Sequence, residues 1–169
     1  MMPAPKPIQI RALDPADYAL LEQFTLLAVH LPPGVEPDWA ALRAALAHYY
    51  QHFGRPGDLA MAARVEGKKV GMAWVRLFAA SQPGYAYLDA ETPELSLAIL
   101  PEWRGLGLGK ALTQALLREL GRHGYSQVSL SVSPDNTAAR GLYQALGFET
   151  VSEAEGAITM RCQLEKPEG

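Results

Sequence analysis

Arg104-Gly105-Leu106-Gly107-Leu108-Gly109 sets three glycines at alternate positions, directly before leucines that recur every four residues at Leu108, Leu112, Leu116 and Leu120. Glycines at the start of a helix leave its first-turn N–H groups open to close approach. The helix dipole adds partial positive charge at the same place. That combination is suited to holding phosphate. Two familiar phosphate spacings fail here. A P-loop needs glycine where Arg104 stands and Ser or Thr where Ala111 stands, although Gly109-Lys110 is present. The dinucleotide spacing G-x-G-x-x-G, counted from Gly105, meets Lys110 at its last glycine, and no acidic residue ends the following strand where a ribose hydroxyl would need one. The spacing that remains is Arg104-x-x-Gly107-x-Gly109. His48 and His52 lie four apart and could share a metal, but no third ligand accompanies them, so a solvated helix face is expected and no metal site.

Particular elements must position that turn. Glu94 to Leu100 alternates, with Leu95, Leu97 and Ile99 on one face, and Pro101 ends the run, which predicts a strand. The leucine repeat predicts a helix ending near Gly121 or Gly124. Gln127 to Val132 alternates again, so strand, helix and strand form a βαβ unit with a right-handed crossover and parallel strands. Asn136 then caps a short helix from Thr137 to Leu146, closed by Gly147. Strands at Phe148–Val151 and Ala157–Leu164 pair antiparallel around Glu153–Gly156. Upstream, residues 1–7 hold three prolines and read as a loose end before a strand at Ile8–Ile10. A helix from Asp14-Pro15 to Val29 follows, and after a proline-rich break a second runs from Asp38 to Tyr50. Leu59–Val65 and Val70–Phe78 form a hairpin, and Tyr85–Glu91 is a third strand element or an ordered loop. The sheet is therefore mixed, mostly antiparallel, with one parallel junction in its middle, flanked by helices in an α/β fold.

Composition bounds the function. The 169 residues suit a single domain spanning 1–169, and 49% apolar with 20% charged residues is ordinary for a globular protein. A net charge of -3 with scattered Lys and Arg argues against nucleic acid as a partner. Cys162 is alone, so no disulfide framework or cysteine-based metal site is expected within one chain. No apolar stretch approaches a membrane span and no leader pattern opens the chain, so a cytoplasmic protein with no membrane partner is expected.

With its flanking strand and helix, Arg104-x-x-Gly107-x-Gly109 resembles the R/Q-x-x-G-x-G/A segment of the GNAT (N-acetyltransferase) superfamily. A second segment, from Asn136 to Phe148, resembles that family's N-x-x-A-x-x-L-Y-x-x-x-G-F. Both stand in the family's order around the βαβ unit. The resemblance covers residues 94–148 closely, and the remaining element order agrees. It implies the GNAT acyl-CoA N-acyltransferase fold, in which two parallel central strands splay apart. It also implies acetyl-CoA as acyl donor, no metal, transfer to a primary amine of a small molecule or of a protein or peptide, and the homodimer common in the family.

Carried over residue by residue, the resemblance puts the pyrophosphate at the turn opened by Arg104, on the amides of Gly105, Leu106, Gly107, Leu108, Gly109 and Lys110. It puts the pantetheine arm on the backbone of Leu97, Ala98 and Ile99. Asn136 becomes a cofactor contact, although a helix cap alone would account for it. Acyl transfer from a thioester to an amine needs a neutral amine, a stabilised oxyanion and a proton for the departing thiolate. Tyr143 falls where the family places its general acid, although packing beside Leu142 and Leu146 would also explain it. Glu94, near the start of the central strand and facing away from Leu95 and Leu97, is the candidate base, with Asp89 and Glu91 as alternatives. Some relatives carry a glutamate five residues before the asparagine, where this chain has Ser131. The family's acceptor site maps to residues 30–57 and 79–93, where Asp89, Glu91 and Glu94 with Tyr85 and Tyr87 could form an acidic, aromatic mouth for a cationic amine. Two other classes compete: a catalytically inactive acyl-CoA-binding sensor or interaction domain, and an enzyme using the turn for ATP or NAD.

Overall fold

A computed structural model describes residues 6–154 and 156–165. Residues 1–5 of the expected loose end and Glu155 of the expected C-terminal turn lie outside the described residues. Seven strands form one sheet: β1 (Gln9–Ala12), β2 (Leu59–Val65), β3 (Lys68–Arg76), β4 (Glu94–Ile99), β5 (Gln127–Val132), β6 (Glu149–Ala154) and β7 (Ala157–Gln163). Their order across the sheet is β1-β2-β3-β4-β5-β7-β6, and every neighbouring pair is antiparallel except β4 with β5. The parallel junction expected in the middle of the sheet is present.

Helices cover both faces. On one, α3 (Leu108–Arg122) buries Leu108, Leu112, Leu116 and Leu120 against Val70, Ala73, Val75 and Leu95. The last three of those leucines are fully buried, and each contributes about 2 kcal/mol of hydrophobic burial, enough to fix the turn at the helix start. Next to it, α4 (Thr137–Ala145) packs Ala139, Leu142 and Tyr143 on the same core. On the opposite face, α1 (Leu20–Leu27) buries Leu21 and Phe24 against Met72, Trp74 and Ala98, with α2 (Trp39–Ala45) beside it. Among the described residues no helix is long and apolar enough to cross a membrane.

The upstream helices are shorter than the periodicity predicts. Asp14 Oδ1 accepts from Ala16 N–H at 2.9 Å, two residues on, which tightens the first turn to a 3-10 segment at Pro15–Asp17 and delays α1 to Leu20. The second helix stops at Ala45 and continues as a 3-10 turn, Ala47–Tyr49. There the carbonyls of His48 and Gln51 accept bonds from the Arg76 guanidinium, at 3.1 and 2.6 Å, which diverts the chain from α-helix. His48 and His52 therefore share no helix face; His48 packs against Phe78, and His52 sits at φ 55°. Tyr85–Glu91 is a loop: the Tyr49 hydroxyl accepts from the Tyr85 N–H and the Ser129 hydroxyl donates to the Ala86 carbonyl, so side chains replace a ladder.

Candidate active site

The strands β4 and β5 meet only at their start, where Glu94 is in register with Ser129 and the Ser129 N–H donates to the Pro93 carbonyl at 3.0 Å. Beyond that vertex each strand keeps its outer neighbour, β3 or β7, but not the other. Leu100 N–H donates to Val70 on β3, so by alternation the main-chain groups of Leu95, Leu97 and Ile99 face the gap. Ala98 differs from the expectation: it lines the cleft, but its main chain belongs to the β3 ladder opposite Met72 and its side chain packs with Leu21 and Phe24. The Ile99 carbonyl accepts from Arg104 Nε at 3.1 Å.

At the open end of the gap stands the glycine turn. Gly105 and Gly107 adopt φ of 77° and 83°, left-handed conformations that disfavour any side chain. Gly109 is close to its neighbours, since a Cβ there would lie 3.2 Å from Leu142 Cδ2 and 3.4 Å from Leu97 Cδ2. The first helical bond of α3 runs from Ala111 N–H to the Gly107 carbonyl, which leaves the amides of Leu108, Gly109 and Lys110 without helical partners. Gly107 itself offers no capping side chain.

A continuous cleft of about 1070 Å³ connects the turn, the gap and the vertex. Its lining brings together Glu94, Leu97, Ala98, Ile99, Arg104, Gly105, Gly107, Leu108, Gly109, Lys110, Asn136 and Tyr143. Leu106 is absent from the lining, with its side chain 61% exposed on the outside of the turn. Asn136 is both wall and cap, for its Oδ1 accepts from Ala139 N–H at 3.3 Å. Tyr143 is buried against Phe148, and burial raises its phenol well above the ordinary range, so it stays protonated.

Glu94 is 3% exposed rather than a solvated strand end. Its Oε1 accepts from the Tyr49 hydroxyl at 2.6 Å, while its Oε2 is buried with no partner in the protein. Burial pushes this carboxyl up to about 7, against the opposing pull of the Tyr49 hydroxyl and the Ala86 amide. Tyr49 is itself raised by burial and by the Glu94 charge, so it acts as a fixed donor. Gly84 packs directly on the carboxyl: a Cβ there would fall 1.9 Å from Oε2. Arg76, the cross-strand neighbour of Glu94, instead commits its guanidinium to Asp58, with Nε to Oδ1 at 3.1 Å and Nη2 to Oδ2 at 2.8 Å.

Asp89 and Glu91, the other carboxylates of the expected acidic mouth, do not line the cleft. Asp89 accepts from the Thr92 hydroxyl and the Glu91 amide, which hold its carboxyl below the usual range and brace the loop. Of the expected mouth, Glu94 and Tyr85 remain. Sequence reasoning missed Tyr49, Gly84 and the Asp58–Arg76 pair. Tyr49 sits in a His48-Tyr49-Tyr50 run with no local signal for a contact 45 residues away.

Solved structures share this architecture. The ribosomal-protein-S18-alanine N-acetyltransferase from Escherichia coli superposes with a TM-score of 0.65 at 20% identity, covering 96% of this chain and 97% of that one. A phosphinothricin acetyltransferase from Sinorhizobium meliloti, solved with AcCoA, gives 0.68 at 22% identity over 93% and 88%. At these identities the likeness is one of fold, and the fold is that of the GNAT acetyltransferases. The family model for the acetyltransferase (GNAT) family matches residues 22–148, and the chain belongs to that family. Mycothiol acetyltransferase from Streptomyces griseus is 30% identical over 158 residues, 83% of this chain and 48% of that protein. Its counterpart from Paenarthrobacter aurescens is 38% identical over 93 residues, 55% of this chain and 28% of that protein. The chain thus spans about half, or less, of the length of these curated relatives.

Proposed function

We propose that this chain is an acetyl-CoA-dependent N-acetyltransferase that moves an acetyl group from coenzyme A to a primary amine of a small molecule or of a protein or peptide. The observation that carries this is one continuous cleft with three chemistries in sequence. Free helix amides lie at one end, unpaired strand backbone in the middle, and a buried carboxylate oxygen without a partner at the vertex. Each is costly unless something polar fills it. Family membership and relatives named as acetyltransferases support the same ligand.

The residues present fit acetyl-CoA. The amides of Leu108, Gly109 and Lys110 would hold its pyrophosphate, with the Arg104 and Lys110 charges nearby, and the main chain of Leu97 and Ile99 would hold its pantetheine arm. Asn136, already capping α4, borders the same space. Bound acetyl-CoA supplies an activated acetyl group and a thiol leaving group. The Glu94 carboxylate takes a proton from the acceptor nitrogen, and a carboxyl near 7 is half-ionised where most amines are still protonated. Tyr49 positions that carboxyl from below through Oε1. Tyr143, protonated at neutral pH, hydrogen-bonds the departing sulfur and passes its proton to the thiolate, and solvent returns a proton to the phenol. A non-catalytic acyl-CoA binder would have no use for a buried carboxylate with a free oxygen, which favours the enzyme. We read 1–169 as one such domain acting in the cytoplasm, consistent with the lone buried thiol of Cys162.

Isothermal titration tests the reading. Acetyl-CoA is expected to bind at micromolar concentration and to release thiol only when an amine is added. Binding of NAD or ATP without binding of acetyl-CoA overturns it. Thiol release undiminished in Tyr143→Phe removes Tyr143 as proton donor.

A further inference from the structure

The cleft is chemically lopsided. Arg104 and Lys110 stand at the glycine turn, whereas the portion reached from α1 and α2 is walled by Leu27, Val29, Leu42, Leu46 and Trp74. Glu94 is the one acid in the lining among the described residues. Nearby carboxylates are engaged elsewhere: Glu22 pairs with Arg43 at 2.9 Å, and Asp135 faces His30 Nε2 at 3.7 Å.

Several polar groups among these walls are already satisfied within the protein, while the Ser96 hydroxyl and the His30 ring also line the cleft. The Thr25 hydroxyl donates to the Leu21 carbonyl at 2.6 Å, and Trp74 Nε1 donates to the Tyr49 carbonyl at 3.3 Å. The Tyr49 hydroxyl donates to Glu94 Oε1 and accepts the Tyr85 N–H at 2.8 Å. Among the fully buried side-chain N and O atoms of the described residues, Glu94 Oε2 alone has no partner. At the rim the Tyr85 ring, 65% exposed, stacks on Tyr49 with centroids 6.2 Å apart and offers a further aromatic face.

A wall of this kind selects by shape and burial around one charge. A polyamine would leave its second cation unpaired against leucines, and a polyhydroxylated amine would lose water from hydroxyls that the leucine and tryptophan walls cannot pair. Resting on the acetyltransferase reading above, we propose that the acceptor is an amine with one cationic nitrogen on an apolar alkyl or aryl body. The nitrogen is drawn to the Glu94 carboxyl at the vertex, and the body lies along Leu27, Leu42, Leu46 and Trp74.

The test compares 2-phenylethylamine with spermidine, glucosamine and a short peptide with N-terminal alanine. It uses two readouts: thiol release with acetyl-CoA, and calorimetric binding with coenzyme A present. The expected result is a kcat/KM for 2-phenylethylamine at least about tenfold above each of the others, the size of effect one apolar group commands. Leu42→Gln, at a half-buried position, reduces that preference about fivefold through KM with kcat little changed. Equal or better turnover of spermidine, glucosamine or the peptide overturns the proposal. If no amine releases thiol although acetyl-CoA binds, the acetyltransferase reading fails by itself. Calorimetry then decides the acceptor class: preferential binding of 2-phenylethylamine sustains it, and no preference overturns it.

Discussion

Glu94 combines near-complete burial, one strong hydrogen bond and one oxygen that the fold leaves unmatched. Burial raises its carboxyl, and the Tyr49 hydroxyl, with a smaller pull from the Ala86 amide, opposes the rise, so together they set it at about 7. Removing that hydroxyl leaves burial with less opposition. Tyr49→Phe is therefore expected to move the acid limb of kcat/KM upward by about one pH unit, because a hydrogen bond to a charged group is worth about 1.5–3 kcal/mol. The variant is slower at pH 7 and recovers toward wild type at higher pH; a pH–rate profile checks this, and an unmoved limb would show Tyr49 to be packing alone. Glu94 was legible as a candidate from its place on the strand and the family resemblance. Its burial was not, because strand-end glutamates are usually solvated and the residues that cover it, Tyr49 and Gly84, come from distant segments. Asp89 and Glu91 stood in sequence as weaker alternatives to Glu94, and the Thr92 hydroxyl bond to Asp89 and the course of the loop keep both out of the cleft.

At the scale of elements, the strand, glycine turn and helix from Glu94 to Arg122 were legible because each has its own local period, and the structure matches them within a residue or two. The segment between β3 and β4 was not, because its order comes from side chains of other elements: Tyr49 holds Tyr85, Ser129 holds Ala86, and Gln127 Nε2 reaches the Thr92 hydroxyl at 2.8 Å. Gly84 in this loop lies where any side chain collides with the Glu94 carboxyl. Gly84→Ala is expected to displace that carboxyl and lower kcat on the order of tenfold or more, since misplaced catalytic groups cost about that much or worse. Acetyl-CoA affinity should change little, because the glycine turn lies at the other end of β4. Paired kinetic and calorimetric measurements separate the two effects, and equal losses in both would place the defect in folding.

For the whole molecule, the sheet holds α3 and α4 on one face and α1 and α2 on the other, so the cleft depends on the two layers keeping their positions. Arg76 and Asp58, 2% and 1% exposed at the side chain, tie the sheet to the 3-10 turn that carries Tyr49. Asp58→Ala leaves a guanidinium buried without its anion and is expected to cost about 3–5 kcal/mol in denaturant unfolding. Replacing both partners by apolar residues recovers part of that loss; a single loss below about 1 kcal/mol would contradict a buried pair. This tie was invisible in sequence, where Asp58 read as a residue between elements and Arg76 as one position in a strand. The sheet order was only partly legible: an antiparallel C-terminal pair was expected, but that β7 rather than β6 borders β5 is decided by packing of Ile158 and Met160 into the core.

Glu94 as the base of acetyl transfer is tested most directly by the pH dependence of amine-dependent thiol release in wild type and Glu94→Gln. In the wild type, kcat/KM is expected to rise with pH through about 7 as the Glu94 carboxyl loses its proton. In Glu94→Gln, kcat/KM falls by about a hundredfold or more and that limb disappears, while acetyl-CoA still binds. A glutamine variant that keeps both the wild-type rate and the wild-type limb would contradict it.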